Sequence, residues 1–228
     1  MDVNIRNIWV LDVFGVEVWI TQTLINTWVI MAILILFALI VRSQLKKFEE
    51  IPAKFQNLVE TIVELFDKFV KDTVGDERLM FLGNWFFSAF FFILLSNLSG
   101  MIGLRPPTAD WAVTFAFALG TFGLIQIVGL KFKGTKYLKT FLEPTFVFLP
   151  LNIIGELARP ISLSFRLFGN VLAGMILISL FYNLVPIVAQ FFLPIPLHAF
   201  FDIFAGSLQT YIFIALSMTF IAATVATD

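Results

Sequence analysis

The 228-residue chain has no cysteine, one histidine and few charges, 15 Lys+Arg against 16 Asp+Glu. Without cysteine there can be no disulfide, iron–sulfur cluster or thiolate zinc site, and one histidine removes every multi-histidine metal motif. No metal and no other cofactor is expected. A formal net charge of -1 offers no electrostatic footprint for a nucleic acid. Apolar residues fill the place of the missing charges, at 59% of the chain, and the mean hydropathy is +0.94. Soluble domains hold about 45–50% apolar and about 25% charged residues, so the composition excludes a water-soluble core. It describes a membrane protein.

Val18 to Val41, Leu79 to Leu104 and Trp111 to Leu130 contain no Asp, Glu, Lys or Arg. Each run is long enough to cross about 30 Å of hydrocarbon as a helix, which takes about 20 residues. After Glu143 the only charged residues before the last position are Glu156, Arg159, Arg166 and Asp202, joined by His198. That stretch reads as two long helices broken near Pro186, Pro194 and Pro196. The expected fold is an all-α integral membrane protein of about five spans, a single membrane domain over residues 1–228. Asp2, Asp12 and Glu17 precede the first apolar run, unlike the basic start of a signal peptide.

Basic residues set the orientation. Arg42, Lys46, Lys47, Lys54, Lys68, Lys71 and Arg78 follow the first span, and Lys131, Lys133, Lys136 and Lys139 follow the third, whereas the opposite side has only Arg6 and Arg105. The positive-inside rule places the N-terminus outside and the C-terminus in the cytoplasm. The first cytoplasmic connection carries Phe48, Ile51, Phe55, Leu58, Ile62, Leu65 and Phe69 at helical spacing. It is expected to be one amphipathic surface helix, lying on the membrane or packed on the protein's own spans. Asn97-Leu98-Ser99 matches a glycosylation sequon but falls inside a span and is read as chance.

Chemistry must come from the charges of the last two helices. At about 100° per residue, Arg159, Asn152 and Asn170 lie within about 40° of Arg166, and Glu156 within about 80°, one polar stripe on one helix. On the last helix His198, Asp202 and Gln209 fall within about 40° of one another by the same count. Facing polar stripes inside a membrane make a hydrated path or a binding seam. Glu156 and Arg159, at i,i+3, can pair, either only to neutralise the helix near the interface or as part of the path. Arg166 has no acid within four positions, so it must face water, the other helix or another subunit, and an unpaired intramembrane ion is functional by default. His198 sits near Pro194 and Pro196, where an interfacial histidine needs no role. Asn170 and Gln209 serve equally well as interhelical hydrogen-bonding groups. A secondary transporter would also place ions at mid-membrane, but no duplicated half or second broken helix is evident. A passive structural subunit would not need Arg166, and a self-contained enzyme would need a phosphate loop, metal set or nucleophile–base pair that is missing.

The segment Pro150-Leu-Asn152-Ile-Ile-Gly-Glu156-Leu-Ala-Arg159-Pro160-Ile-Ser162-Leu-Ser-Phe-Arg166-Leu-Phe-Gly169-Asn170-Val-Leu-Ala-Gly174 closely resembles the signature of subunit a of the F-type ATP synthases. Pro107-Thr108-Ala109-Asp110, Val113-Thr114 and Ser207-Leu208-Gln209-Thr210 resemble the same family. The resemblance implies a non-catalytic stator subunit whose two long, tilted C-terminal helices form a hairpin against a rotating ring of c subunits. Peripheral-stalk b subunits, the rest of the complex and membrane lipid are the other implied partners. Two offset half-channels would carry protons or sodium ions to and from the ring, driven by the ion gradient and by about 2.3 kcal/mol per elementary charge per 100 mV. Arg166 matches the essential stator arginine. An opposite charge within about 4–6 Å lowers a carboxylate pKa by about 1–3, which would help a ring carboxylate release its ion. Asn170 and Gln209 match polar positions that orient this arginine, with His198 and Glu156 further along the path. Met175 stands where many members carry a glutamate. Asp202 stands where members carry a histidine or an acid, and is expected to supply the channel carboxylate that Met175 does not. A bacterial plasma membrane is the expected location.

Overall fold

The computed structural model describes residues 7–13, 16–48, 54–142, 145–184, 186, 192 and 194–226. The chain opens with an antiparallel hairpin of β1 (Asn7–Val13) and β2 (Val16–Thr21), in which Trp9 faces Ile20 and Val10 faces Trp19. Val16-Glu-Val-Trp-Ile-Thr is rich in β-branched and aromatic residues, which suit a pleated surface. The first span is therefore shorter at its start than its apolar run: Val18 to Thr21 finish β2, and α1 covers Gln22–Gln44. Thr21 marks the boundary, its Oγ1 accepting a hydrogen bond from the Leu24 amide at 3.3 Å as an N-cap.

The helices that follow are α2 (Lys54–Val74), α3 (Gly83–Leu98), α4 (Trp111–Lys133), α5 (Thr135–Thr140), α6 (Leu149–Leu184), α7 (Pro194–His198) and α8 (Gly206–Ala226). A π-helical segment, Ala199–Ala205, joins α7 to α8. Among the described residues five helical stretches are long and apolar enough to cross a membrane: Gln22–Gln44, Glu77–Ile102, Trp111–Lys133, Phe146–Leu184 and Pro194–Val225. The protein is an all-α membrane protein with a small hairpin appended. At 1.5 Å per residue the 36 residues of α6 run about 54 Å, so it fits about 30 Å of hydrocarbon only by tilting or by running past the core.

Helices α3, α4, α6 and α8 meet in the core, joined by Phe66, Val70 and Val74 of α2. Phe86 and Ile93 of α3, Ile125 of α4, Leu167 of α6 and Phe213, Ile214, Met218 and Ile221 of α8 are fully buried. Helix α1 stands at the periphery with Ile33, Ile35, Leu36 and Leu39 exposed, the surface a lipid tail would cover. Asn26 anchors it, donating from Nδ2 to the Arg105 carbonyl at 2.9 Å. The second half of α2 packs on the protein's own spans, with Phe66 edge-on to Phe87 (ring centroids 5.1 Å apart) and Phe69 beside Tyr211 (5.2 Å). Leu58 and Leu65 of the same helix remain exposed, and Ile51 lies outside the described residues.

Buried polar groups join the spans, as expected where lipid offers no hydrogen bonds. Asn97, the residue of the sequon, is buried in α3 and donates to the Gly206 carbonyl (2.9 Å) and to Thr210 Oγ1 (3.0 Å), while accepting from Thr108 Oγ1 (2.6 Å). Thr114 and Ser164 meet at 3.3 Å between α4 and α6, and Thr121 donates to Ser217 at 3.3 Å between α4 and α8. In the Pro107 to Asp110 segment, Thr108 thus holds α3 while Asp110 caps α4, accepting from the Ala112 amide at 3.0 Å.

Candidate functional site

The polar stripe of α6 runs along its border with α8. On one side of it Leu163, Leu167 and Gly174 are buried, and on the other Leu157, Ile161 and Phe165 are exposed. Three contacts tie α6 to the stretch from α7 to α8, Tyr182 to His198, Asn170 to Gln209 and Arg159 to Phe220. As one partner's number rises the other falls in step, which makes α6 and α8 antiparallel. The stripe residues therefore occupy successive levels along one seam.

Arg166 is at the midpoint of α6, about 27 Å from either end. Its side chain is exposed and, among the described residues, enters no hydrogen bond or ion pair. One end of the seam is neutralised within the chain: Arg159 Nη1 lies 2.6 Å from Glu156 Oε1, and its guanidinium carbon sits 5.4 Å from the Phe220 ring centroid. Glu156 keeps a second oxygen, Oε2, buried without a hydrogen-bond partner. A cleft of about 230 Å³, lined by Arg159, Ser162, Arg166, Leu216 and Phe220 among others, runs between this pair and Arg166. Asn152, also on the stripe, is occupied elsewhere, donating from Nδ2 to the Phe141 carbonyl at 2.9 Å.

At the level above Arg166, Asn170 donates from Nδ2 to Gln209 Oε1 at 2.8 Å. Gln209 is buried and its Nε2 has no partner. The two amides bond to each other, and neither hydrogen-bonds Arg166. Their contact to the arginine is one of position, a helix turn away on the same seam.

His198 and Asp202 pair at the far end, Nδ1 to Oδ2 at 2.6 Å, both side chains largely buried. Tyr182 OH lies 3.5 Å from His198 Nε2, so the imidazole links a phenol of α6 to a carboxylate of the π-helical segment. Asp202 is held on its other side by Gly100, just beyond α3: a Cβ there would lie 3.0 Å from Oδ1 and 3.1 Å from Oδ2. The stripe expected of His198, Asp202 and Gln209 is interrupted by the π-helical segment Ala199–Ala205. Gln209 turns to α6, while Asp202 lies against Gly100. The intervening π-helical turn, wider than the α-helical period, changes the angle between them. Met175 is buried and Gly174 beside it makes room for Phe201, whose Cβ would be 3.1 Å from a methyl at that position. Tyr182 and Gly100 carry no local motif and come from distant parts of the chain. Only the folded geometry brings Tyr182 to His198 and Gly100 to Asp202.

Among the described residues no three of His, Cys, Asp and Glu gather as a metal site. The arrangement is a line of polar groups through apolar helices, with one unpartnered cation in the middle. Comparison with known proteins gives the same frame. The family model described as "ATP synthase A chain" matches residues 24–222. The chain is 36% identical over 205 residues to the ATP synthase subunit a of Moorella thermoacetica, covering 89% of this chain and 90% of that one. It is 36% identical over 221 residues to the ATP synthase subunit a 1 of Syntrophotalea carbinolica, covering 93% and 87%. A third relative, the ATP synthase subunit a 2 of Acaryochloris marina, is 36% identical over 214 residues, covering 92% and 87%. With a match over most of its length and with five apolar helices in place, this chain belongs to the ATP synthase subunit a family.

Proposed function

We infer that this chain is the stationary ion-conducting subunit of an F-type ATP synthase, without catalytic activity of its own. It passes protons or sodium ions through two offset half-channels to and from a rotating c-ring, held by the peripheral stalk. The observation that carries this reading is Arg166, an exposed cation at the centre of a membrane-length helix with no hydrogen-bond or ion-pair partner among the described residues. A charge there costs about 2.5–3.5 kcal/mol on insertion scales unless water or an opposite charge meets it. A ring carboxylate is the group that would meet it. The Tyr182, His198 and Asp202 chain supports one half-channel, and the cleft between Arg159 and Arg166 supports the other. Asn170 and Gln209 brace the seam between them. In this reading residues 1–228 form one membrane domain in a bacterial plasma membrane, with the N-terminus outside and the lysine-rich connections and C-terminus in the cytoplasm.

The test is ATP-driven ion pumping and passive ion leak in vesicles holding the whole complex, with assembly checked for each variant. Arg166→Ala should abolish pumping, while Arg159→Ala, which removes one half of a neutralised pair, should largely retain it. Normal pumping by Arg166→Ala would remove the arginine from the mechanism.

A further inference from the structure

A basic cavity lies apart from the polar seam of α6 and α8. Between Asp110 and Glu143 the chain has four lysines, Lys131, Lys133, Lys136 and Lys139, and no acid. Gly134 interrupts this run at φ +56°, a backbone conformation that favours glycine, so α5 departs from the line of α4. Lys133 and Lys136 thereby reach one cavity from two helices. Arg78, from the 3₁₀ segment Glu77–Leu82 ahead of α3, joins them there with Phe132 and with Val225 near the end of α8. The cavity measures about 310 Å³, at the small end of the range for ligand sites. Phe132 is its apolar wall, with the Arg78 guanidinium carbon 5.2 Å from the ring centroid.

Like charges repel, and helix ends explain only part of this convergence. Lys133 is in the last turn of α4, where the helix dipole favours a cation, but Lys136 is the second residue of α5 and Arg78 the second of its segment, the ends where that preference reverses. Asp76 pairs with Arg78 at 2.7 Å, yet among the described residues no carboxylate lines the cavity. Towards the membrane the character changes. One turn into the span from Arg78, Phe81 is exposed, and one turn into the span from Lys133, Leu130 is exposed. A ligand that suits both levels is an anion with hydrocarbon attached. We propose that Arg78, Lys133 and Lys136 bind the phosphodiester headgroup of an anionic phospholipid, whose acyl chains run along Phe81 and Leu130. The guanidinium offers phosphate a forked pair of donors and the lysines add point charges. In the orientation proposed above, on which the site rests, this end faces the cytoplasm, whose leaflet carries anionic lipid and where basic pockets between spans take such headgroups. The lipid would hold together the ends of three spans, those of α3, α4 and α8.

The test uses the assembled complex in phosphatidylcholine vesicles that hold a small fraction of phosphatidylglycerol with a photoreactive diazirine near its glycerol. Irradiation should label the peptides containing Phe81 and Leu130. Lys133→Gln with Lys136→Gln should lower that labelling about tenfold at sub-saturating probe. Lys133→Arg with Lys136→Arg keeps the charge and should retain it. Lys68→Gln with Lys71→Gln removes the same charge from exposed positions of α2 and should leave labelling unchanged, which separates a built site from general attraction of anionic lipid to a basic surface. Competition is read on the parent complex and so decides the matter even where a variant assembles poorly. Unlabelled phosphatidylglycerol should displace the probe, whereas added phosphatidylcholine and inorganic phosphate should not. Equal losses from the two glutamine pairs, or displacement by phosphatidylcholine as effective as by phosphatidylglycerol, would overturn the site. Displacement by inorganic phosphate would overturn the lipid assignment in favour of a soluble anion. Labelling is read without pumping, so its failure leaves the role of Arg166 untouched, and normal pumping by Arg166→Ala would leave the labelling untouched.

Discussion

Gly100→Ala is a one-methyl test of the half-channel proposed at Asp202. The added Cβ would sit 3.0 Å from Asp202 Oδ1, 3.1 Å from its Cγ and 3.1 Å from Oδ2, closer than carbon and these atoms normally approach. The carboxylate must retreat by a few tenths of an ångström, and it is not the far end of a long flexible side chain. Retreat strains the 2.6 Å contact with His198 Nδ1. Overpacking of this kind costs about 1–3 kcal/mol, similar to the net value of a hydrogen bond to a charged group, about 1.5–3 kcal/mol. If ion uptake through Asp202 limits turnover, about 1–3 kcal/mol on that step slows pumping about 5- to 150-fold. The assay is ATP-driven pumping by the reconstituted complex, together with the temperature at which the subunit dissociates from it. Stability supplies the control, because Gly100→Ala should lower that temperature in the parent and leave it nearly unchanged in an Asp202→Ala background, where the clash is gone. Parent-like pumping, or an equal loss of stability in both backgrounds, would refute the reasoning.

Further outcomes follow from the same contacts. Asn170→Ala leaves Gln209 with both amide atoms unpaired in a buried site and should destabilise the assembled subunit by about 1–3 kcal/mol in thermal dissociation. A double-mutant cycle with Gln209→Leu should give a coupling of about 0.6–1.7 kcal/mol, and no coupling would show that the 2.8 Å bond contributes nothing. Asn97→Leu breaks three buried bonds between α3, α8 and the segment before α4, a loss of about 2 kcal/mol at membrane values, read as a lower dissociation temperature. Tyr137 titrates above its ordinary value of 10.0, mainly through burial and then through the Glu156 charge. The folded state therefore keeps a proton that the unfolded state gives up, so this contribution is intact below pH 10 and stability falls as pH rises beyond it; Tyr137→Phe should flatten that alkaline fall.

The interactions that were legible in the sequence are those a single helix contains. Glu156 and Arg159 at i,i+3 and His198 and Asp202 at i,i+4 pair in space because the helical period puts them together, and the stripe through Asn152, Arg159, Arg166 and Asn170 follows from the same period. Contacts between helices were not legible. Nothing near Gly100 or Tyr182 marks them as neighbours of Asp202 and His198, and the sequon at Asn97 gives no sign that its amide lies between Gly206, Thr210 and Thr108. The hairpin escaped for a different reason. Apolarity marks a segment as membrane-facing or buried without distinguishing strand from helix, and only the β-branched run Val16 to Thr21 carried that distinction. The π-helical segment Ala199–Ala205 carries no such mark in the sequence, yet Gln209 beyond it still meets Asn170 on the facing stripe.

The distribution of satisfied and unsatisfied charge separates what the chain does alone from what it needs a partner to do. Along the α6 and α8 seam, Arg159 is neutralised by Glu156 and Asp202 is held by His198. Two of the three charged levels are thus closed within one chain. The third, Arg166, is at the middle of α6, and among the described residues it is left without a partner. A protein stable by only about 5–15 kcal/mol has little reason to carry about 2.5–3.5 kcal/mol of exposed charge at mid-membrane when a leucine would fill the space. Neighbouring charges show that pairing within the chain was structurally available, so the lack of a partner at Arg166 is specific to that level. In the proposed reading the counter-charge is carried by another molecule in the membrane. A fixed acid would lock onto the arginine and stop there, because a desolvated pair is lost only at a cost of several kcal/mol. A series of acids carried past on a moving surface, each able to exchange its charge for a bound ion before and after the encounter, would meet Arg166 and leave it again.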